Sequence, residues 1–338
     1  MESTRTSSFV RSIAALTVLS ISAAGCAVSN DSSSGKDGYD VAYLSASAAN
    51  TWLASSREAM QKVADERDVT ITEFDAKFTP GLQSKQIQDI ISAKKYDGIV
   101  IASVDGVGVQ PALENAIKAG LDVVVLNQVI GKELDTAEPQ VPGVAASVLS
   151  PPLKTGERMG ELALSACEGV VPCRVVYLYG AKGTPLDSAQ RTGFDATIES
   201  NPDIEVIAEG EGGYLGTDQP RKTVQDILQS HPEFDVLVGT GDQQIRGALL
   251  ALDDAGKKGV KVIGVGGSEP AIEAIKAGTW YGDVAGVPGD EGTQAIEALI
   301  AAMADGTVTG GIDTAEDLPN GGLITQDNVT LFAPQWKG

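Results

Sequence analysis

An amide and an indole lie close together near the start of the chain, at Asn50 and Trp52. An amide can donate to and accept from a hydroxyl group, and an indole offers a flat apolar face. Together they suit the capture of a polar small molecule. Two other roles remain open: Asn50 can cap the helix that follows it, and Trp52 can pack between the loop and the core.

Further polar and aromatic side chains follow short apolar runs in the same way. Asn127 and Gln128 end one such run, where polar side chains need partners. Asp105 and Asp242 directly precede helical patterns, so N-capping explains them equally well. The predicted ligand-binding residues are Asn50, Trp52, Asp105, Asn127, Gln128, Asp187, Tyr214 and Asp242.

Motifs for catalysis and for cofactor binding are missing from the sequence. It contains neither Gly-x-Ser-x-Gly nor His-Glu-x-x-His, and its one histidine, His231, lies near no plausible catalytic nucleophile and no third soft metal ligand. The run from Gly264 to Gly267 resembles a dinucleotide-binding loop only faintly, because the last glycine of the fingerprint is missing. We therefore expect a binding protein without enzymatic activity, cofactor or metal.

The elements that position these residues alternate along the chain. Strand-like runs rich in Val and Ile are separated by helical patterns, and the runs are continuously apolar, as in parallel sheets covered by helices on both faces. The predicted strands are Val41–Ser45, Val69–Phe74, Gly98–Ser103, Asp122–Leu126, Arg174–Tyr179, Ile204–Ala208, Asp235–Gly239 and Val260–Val265. The predicted helices are Leu53–Arg67, Leu82–Lys94, Gln110–Ala119, Leu153–Ala166, Ser188–Ser200, Arg221–Gln229, Gln243–Ala255, Pro270–Ala277 and Glu291–Ala304.

The two halves of the chain resemble each other at an offset of about 135 residues. The matching pairs of segments, in the same order, are Val41–Leu44 with Val175–Leu178, Gln88–Ile101 with Gln225–Val238, and Gly120–Leu126 with Gly259–Val265. An offset of this size indicates two similar lobes rather than a solenoid. The predicted fold is therefore α/β, with two doubly wound parallel-sheet lobes whose strand ends face each other across a cleft.

The N-terminal residues read as an export and anchoring segment. Arg5 and Arg11 precede an apolar run of 12 residues, Ile13–Ala24, which is too short to span a bilayer. Small residues then precede Cys26, as in the lipobox of bacterial lipoproteins. We predict a signal peptide over residues 1–25, a lipid on Cys26 and a flexible tether over residues 26–38. A plain secretory signal is the alternative.

The net charge restricts the possible binding partners, and the cysteine content indicates a disulfide. The net charge of −21 disfavours nucleic acid and anionic membrane surfaces, which require a basic face. An exported protein meets an oxidising environment, so Cys167 and Cys173 are expected to form a disulfide between a helix end and the next strand.

The sequence resembles the sugar-binding proteins of bacterial ABC importers of the ribose-binding type, with the type I periplasmic binding protein fold, over about residues 40–330. The residues that carry the resemblance are Asn50-Thr51-Trp52, Ser103-Val104-Asp105, Asn127-Gln128, Gly180, Gly193-Phe194, Gly241-Asp242-Gln243, Ala274–Gly278 and Leu323–Val329. The resemblance implies a monomer that captures a sugar or polyol and delivers it to a permease and its ATPase. A sensory or chemoreceptor-coupled binding protein of the same fold is the alternative.

Several positions depart from the pattern of the family. Leu53, Ala102 and Ser188 stand where an aromatic residue, Asn and Arg are common, and Gly241, Gly266 and Gly286 stand where polar residues are common. We expect a ligand bound differently from ribose: either larger, using the space beside these glycines, or less hydroxylated. The first lobe is expected to make most of its hydrogen bonds.

The resemblance also implies how the chain divides. The N-terminal lobe is expected to comprise residues 39–146 and 287–312, and the C-terminal lobe residues 147–286 and 313–338. Hinge crossings are expected near Ala145–Ser147, Gly286–Pro288 and Ile312–Asp313. A repressor of the LacI type shares this fold, but here a lipoprotein signal takes the place of its DNA-binding helices.

Overall fold

The computed structural model describes residues 38–338. The strands of this part are β1 (Tyr39–Ser45), β2 (Val69–Asp75), β3 (Gly98–Ile101), β4 (Asp122–Leu126), β5 (Ala146–Leu149), β6 (Cys173–Tyr179), β7 (Ile204–Glu211), β8 (Val236–Gly239), β9 (Lys261–Gly266), β10 (Gly282–Ala285), β11 (Gly310–Asp313) and β12 (Leu323–Thr325). The α-helices are α1 (Thr51–Glu66), α2 (Pro80–Ala93), α3 (Gln110–Lys118), α4 (Pro152–Ala166), α5 (Pro185–Ile198), α6 (Asp218–Ser230), α7 (Asp242–Asp254), α8 (Glu269–Lys276) and α9 (Pro288–Asp305).

The strands form two six-stranded sheets, with the orders β11-β5-β4-β3-β1-β2 and β12-β10-β9-β8-β6-β7. Every pairing is parallel except that of β12, which runs antiparallel to β10. In both sheets the strand that begins the lobe, β1 or β6, lies between its two successors in the chain. The predicted α/β fold with two doubly wound lobes is confirmed.

Helices cover both faces of each sheet, because the central strands are apolar on both faces. Residues Val41 to Leu44 of β1 and Val175 to Leu178 of β6 are completely buried. In the first sheet, Val41 packs with residues of α1 and α9, whereas its neighbour Ala42 packs with residues of α2 and α3. This two-sided packing explains the continuous apolar runs in the sequence.

Four strands escape the sequence prediction: β5, β10, β11 and β12. Each has only three or four residues. Strands β5, β10 and β11 contain glycine, serine or aspartate, as in Gly310-Gly311-Ile312-Asp313 of β11, and β12 has only the three residues Leu323-Ile324-Thr325, so none has a sustained apolar pattern. Such segments form strands because they pair with a strand that is already in the sheet. Tertiary context, rather than local propensity, therefore specifies them.

The chain passes between the two lobes three times in the described part. Strand β5 keeps Ser147 to Leu149 in the first sheet, so the first crossing follows Leu149, a few residues after the predicted Ala145–Ser147. The second lies between β10 and α9, around Gly286 and Val287, and the third follows Asp313. We call the first sheet with α1, α2, α3 and α9 the first lobe, and the second sheet with its helices the second lobe.

The predicted signal peptide, the lipidation site Cys26 and nearly all of the predicted tether lie outside the described residues. Within residues 38–338, no helix combines the length and apolarity needed to cross a membrane.

The Cys167–Cys173 disulfide is present, with 5.7 Å between the two Cα atoms. Cys167 caps the end of α4 and Cys173 begins β6, as predicted from their spacing. Both cysteines are buried against the core of the second lobe. The bond therefore links a helix and a strand on either side of a short turn.

Replacing both cysteines with alanine is expected to lower the free energy of unfolding by roughly 2 kcal/mol, since the bridge closes a short loop in the unfolded chain. Guanidinium denaturation of the oxidised protein and the double variant measures this loss. The wild-type protein under reducing conditions is the control and should match the variant. An unchanged denaturation midpoint in both would contradict the prediction.

Candidate ligand-binding site

A cavity of about 500 Å³ lies between the two lobes. Its wall is built by loops that follow strands of both sheets, together with the starts of the helices behind those loops. The first lobe supplies Asn50, Trp52 and Asn127, and the second lobe supplies Asp187, Tyr214 and Gln243. The carboxyl edges of the two sheets thus meet at one cavity, and this is where doubly wound folds bind ligands.

Asn50 caps α1, which is the alternative role that the sequence left open for it, and it also contacts the opposite lobe. Its Oδ1 accepts a hydrogen bond from the backbone N of Leu53 at 3.0 Å, which caps α1. Its Nδ2 donates to the backbone O of Tyr214 at 3.1 Å, in the opposite lobe. Asn50 therefore fixes the start of α1 and links the two lobes at the cavity.

Trp52 lies against the backbone of the second crossing. A Cβ added to Gly286 would be 2.1 Å from Cη2 of Trp52, so only glycine allows the indole this position. The indole Nε1 donates to Oε2 of Glu291 at 2.9 Å. The ring also meets Trp336 edge to face, with 5.4 Å between the ring centroids. The indole pair forms an aromatic part of the cavity wall.

Glu291 is a site residue that the sequence analysis missed. It lies in the first turn of α9, lines the cavity and is only 1% exposed. Trp52 and, at 3.4 Å, Nδ2 of Asn127 both donate to its Oε2. Burial raises the pKa of this carboxyl to about 7 despite these hydrogen bonds. Acidic residues are common at helix starts. In the sequence, only its position beside the second crossing distinguishes Glu291 from other such residues.

Asn127 and Gln128 both reach the cavity, as their position after β4 predicts. Asn127 has a φ of +64°, a left-handed conformation that asparagine tolerates better than most residues. Its Oδ1 accepts from Nε2 of Gln128 at 3.1 Å. The turn thus presents two amides side by side.

Asp187 and Tyr214 also line the cavity, and they contact each other. The buried carboxylate of Asp187 accepts from the Tyr214 hydroxyl at 3.0 Å. It also accepts from the backbone N of Gly180 at 2.6 Å and from Oγ1 of Thr184 at 2.8 Å. Burial, together with the neighbouring Asp187, raises the pKa of Tyr214 far above its usual range, so the hydroxyl remains a donor. Asp187 therefore mainly positions Tyr214 and the loop after β6.

Asp105 and Asp242 are not brought to the cavity wall. Asp105 Oδ1 accepts from the backbone N of Val107 and of Gly108, which forms a turn before α3. Asp242 is completely buried behind the site, where its Oδ2 accepts from the backbone N of Ser268 at 2.8 Å. Asp283 lies beside it, and burial raises the pKa of both carboxyls. The predicted alternative, N-capping, does not describe them either, because Val109 and Gly241 hold the N-cap positions of α3 and α7. Both aspartates instead hold backbone segments of the protein in place.

The space beside two of the second-lobe glycines is filled by protein. Trp52 occupies it at Gly286, and at Gly266 an added Cβ would be 2.4 Å from Cζ2 of Trp336. The prediction that these glycines leave extra room for a larger ligand is therefore wrong at these two positions. The polar side chains common in the resembled family are replaced there by indole rings from elsewhere in the chain.

The C-terminal segment contributes to both lobes. In the first lobe, it contacts Ser55 and Asp290. Ser55 Oγ donates to the backbone O of Gln335 at 2.6 Å, and the backbone N of Asp290 donates to Gln335 Oε1 at 3.0 Å. Trp336 Nε1 donates to the backbone O of Gly266 at 2.7 Å in the second lobe. No local pattern in the sequence indicates that Trp336 returns to the cavity, because long-range contacts specify the path of this segment.

Three carboxylates and no cationic side chain line the cavity. The acidic residues are Asp187, Glu211 and Glu291, and no Lys, Arg or His occurs among the described residues of its wall. No cluster that could hold a metal ion is found within residues 38–338. The remaining wall is largely aliphatic, with further hydroxyl and amide groups from residues such as Ser103, Thr155, Gln190 and Thr240. The site can therefore form hydrogen bonds and apolar contacts, and offers no positive charge.

Comparison with known families agrees with this architecture. A model described as "Periplasmic binding protein domain" matches residues 41–307, which include both lobes. The chain belongs to this family. The periplasmic binding protein domain thus accounts for most of the described residues.

Curated relatives of this periplasmic binding protein are similar over most of its length. A xylitol-binding protein of Mycolicibacterium smegmatis is 23% identical over 282 residues, which cover 83% of this chain and 76% of the relative. The ribose import binding protein RbsB of Escherichia coli K12 is 24% identical over 249 residues, which cover 73% of this chain and 79% of the relative.

Solved structures share the fold. An ABC transporter solute-binding protein from Mycobacterium smegmatis with bound glycerol has a TM-score of 0.75 and 23% identity, covering 89% of this chain and 99% of its own. A galactofuranose-binding protein has a TM-score of 0.75 and 20% identity, covering 86% of this chain and 96% of its own. At these identities the likeness establishes the fold.

Proposed function

We propose that this periplasmic binding protein captures an uncharged sugar or polyol in its interlobe cavity and delivers it to an ABC permease and its ATPase. The observation that carries the proposal is the cavity itself, whose wall combines amides, hydroxyls and aromatic faces from both lobes. Hydroxyl groups of a sugar suit the amides, and its C–H faces suit the rings.

The similar proteins support the same class of ligand. Relatives are named for xylitol, ribose and D-allose, and structural neighbours contain glycerol, D-allose or myo-inositol. All of these are uncharged molecules with several hydroxyl groups. The lack of a cationic side chain in the described cavity wall agrees with such a ligand.

Capture would proceed by closure of the lobes about the three crossings. Hydrogen bonds across the cavity join the lobes, among them Asn50 Nδ2 to the Tyr214 backbone O and Gln243 Nε2 to Thr51 Oγ1 at 3.1 Å, and such bonds would stabilise the closed form. A ligand that contacts both walls would favour closure, because opening would break its contacts with one lobe. The closed shape would then be recognised by the permease.

The same proposal places the protein outside the cytoplasm as a monomer held by a lipid on Cys26. The apolar run before that cysteine and the polar segment after it support this arrangement. More than one acyl chain would be needed for a stable anchor.

A thermal-shift panel tests the proposal on protein freed of any co-purified ligand by unfolding in guanidinium and refolding with the disulfide intact. Xylitol, D-ribose, D-allose, myo-inositol and glycerol form the core of the panel. A ligand present at about 100 times its Kd stabilises the native state by about 2.7 kcal/mol, which raises Tm by several degrees. A panel of sugars and polyols in which none raises Tm would contradict the proposal.

A further inference from the structure

Two buried polar atoms in the cavity wall lack a hydrogen-bond partner. Oγ of Ser103 and Oε1 of Gln190 have no partner within the protein, although the two residues are only 4% and 5% exposed. Both residues line the cavity. A buried polar atom without a partner destabilises a protein. In the wall of a cavity, a bound ligand can supply the missing hydrogen bond.

The two residues lie on opposite lobes. Ser103 follows β3 in the first lobe, where the neighbouring backbone is held by Gln83, whose Nε2 donates to the Ala102 backbone O at 2.9 Å. Gln83 Oε1 accepts from the backbone N of Val104, also at 2.9 Å. Gln190 lies in α5 of the second lobe. A ligand that bonds to both residues would span the cavity.

The chemistry of these atoms restricts the ligand. The amide oxygen of Gln190 accepts hydrogen bonds only, so its partner must supply an O–H or N–H group. An ionised carboxylate has no such hydrogen, so it cannot be the group that faces the Gln190 oxygen, and a phosphate is mostly ionised at neutral pH. Either anion would also lie near Asp187, Glu211 and Glu291 without a Lys, Arg or His in the described cavity wall to balance it.

We propose that Ser103 and Gln190 hydrogen-bond to the ligand from opposite walls, and that the site selects uncharged polyhydroxylated molecules against their acid and phosphate counterparts. This inference rests on the proposed function and adds two contacts of the ligand and the classes of molecule that the site rejects. The Gln190 oxygen accepts from one ligand hydroxyl, and the Ser103 hydroxyl pairs with another. Asp187 is already engaged by the loop and Tyr214, so it does not substitute for either contact.

Calorimetry with matched pairs tests the selection. The strongest neutral binder of the panel is compared with its anion: xylitol with xylonate, D-ribose with D-ribose 5-phosphate, D-allose with D-allonate, myo-inositol with its 1-phosphate, or glycerol with its 1-phosphate. We expect the anion to bind at least 100-fold more weakly at pH 7.5. Equal affinity within a pair would overturn the selection, while leaving capture of a small molecule intact.

Substitutions test the two contacts. Gln190→Met keeps the side-chain volume without the acceptor, and we expect at least a tenfold rise in Kd for the neutral ligand. Gln294→Met is the matched control, because Gln294 also has an unpartnered buried Oε1 but lies in α9 outside the cavity wall. Its Kd should match that of the wild-type protein.

Ser103→Ala provides an independent measurement if Gln190→Met fails to fold, and we expect a severalfold rise in Kd. Wild-type affinity in either folded variant would overturn the contact assigned to that residue. A neutral panel in which nothing binds the wild-type protein would instead refute the proposed function, so the two failures are distinguishable.

Discussion

Replacing Trp52 with alanine is expected to weaken binding of the neutral ligand at least 100-fold, which corresponds to about 2.7 kcal/mol. The indole forms part of the cavity wall, lies on the backbone at Gly286 and supports Trp336. Its removal deletes an aromatic face and also takes one hydrogen bond from the buried Glu291. Isothermal titration calorimetry on the folded variant measures the loss.

Two further variants make the Trp52 experiment specific. Trp52→Phe keeps an aromatic face without the indole N–H, so its Kd is expected to lie between those of the wild-type protein and the alanine variant. Asp242→Asn changes a buried residue outside the cavity wall and is expected to alter Kd only slightly. A larger loss for Asp242→Asn than for Trp52→Ala would contradict the view that the first lobe dominates binding.

The stability of the wild-type protein is expected to fall between about pH 4.5 and 7 more steeply than that of Glu291→Gln. Burial raises the pKa of Glu291 to about 7 from its ordinary value of 4.5. The folded protein therefore holds this proton more tightly than the unfolded chain. The resulting stabilisation is complete below pH 4.5 and is lost as the pH rises through 7, a change of about 3 kcal/mol.

Guanidinium denaturation at a series of pH values measures this difference. Asp242 and Asp283, whose pKa values are also raised by burial, contribute with the same sign in both proteins, so the comparison isolates Glu291. Glu297→Gln, an exposed position on the same helix, is the control and should retain the wild-type pH dependence. Parallel stability curves for wild type and Glu291→Gln would refute the prediction.

The fold was predictable from sequence because its main strands are buried on both faces. Segments such as Val41–Ser45 and Arg174–Tyr179 carry an apolar run long enough to stand out, and the helices between them have a clear period. The short strands β5, β10, β11 and β12 carry no such signal. They form because a neighbouring strand and the lobe crossings place them at the sheet.

The cavity wall was predictable where it consists of loops that directly follow strands. Asn50, Trp52, Asn127 and Gln128 reach the cavity for this reason. Asp105 also follows a strand, yet its short side chain accepts hydrogen bonds from the backbone of its own turn and does not reach the cavity.

Glu291, Gln190 and Trp336 were not predictable, because their positions depend on long-range features of the chain. Glu291 reaches the cavity because α9 begins directly after the second crossing. Gln190 lies on the buried face of α5, and the periodic pattern of the helix predicts only core packing for that face. Trp336 returns through a C-terminal segment held by contacts with residues 55, 266 and 290. Only the folded chain brings these residues together.

The most direct test of the account is a crystal structure of the protein with the neutral ligand that most raises Tm. The account predicts density for one molecule between the lobes, in contact with Trp52 and within hydrogen-bond distance of Ser103 Oγ and Gln190 Oε1. Ligand density outside the interlobe cavity would contradict it.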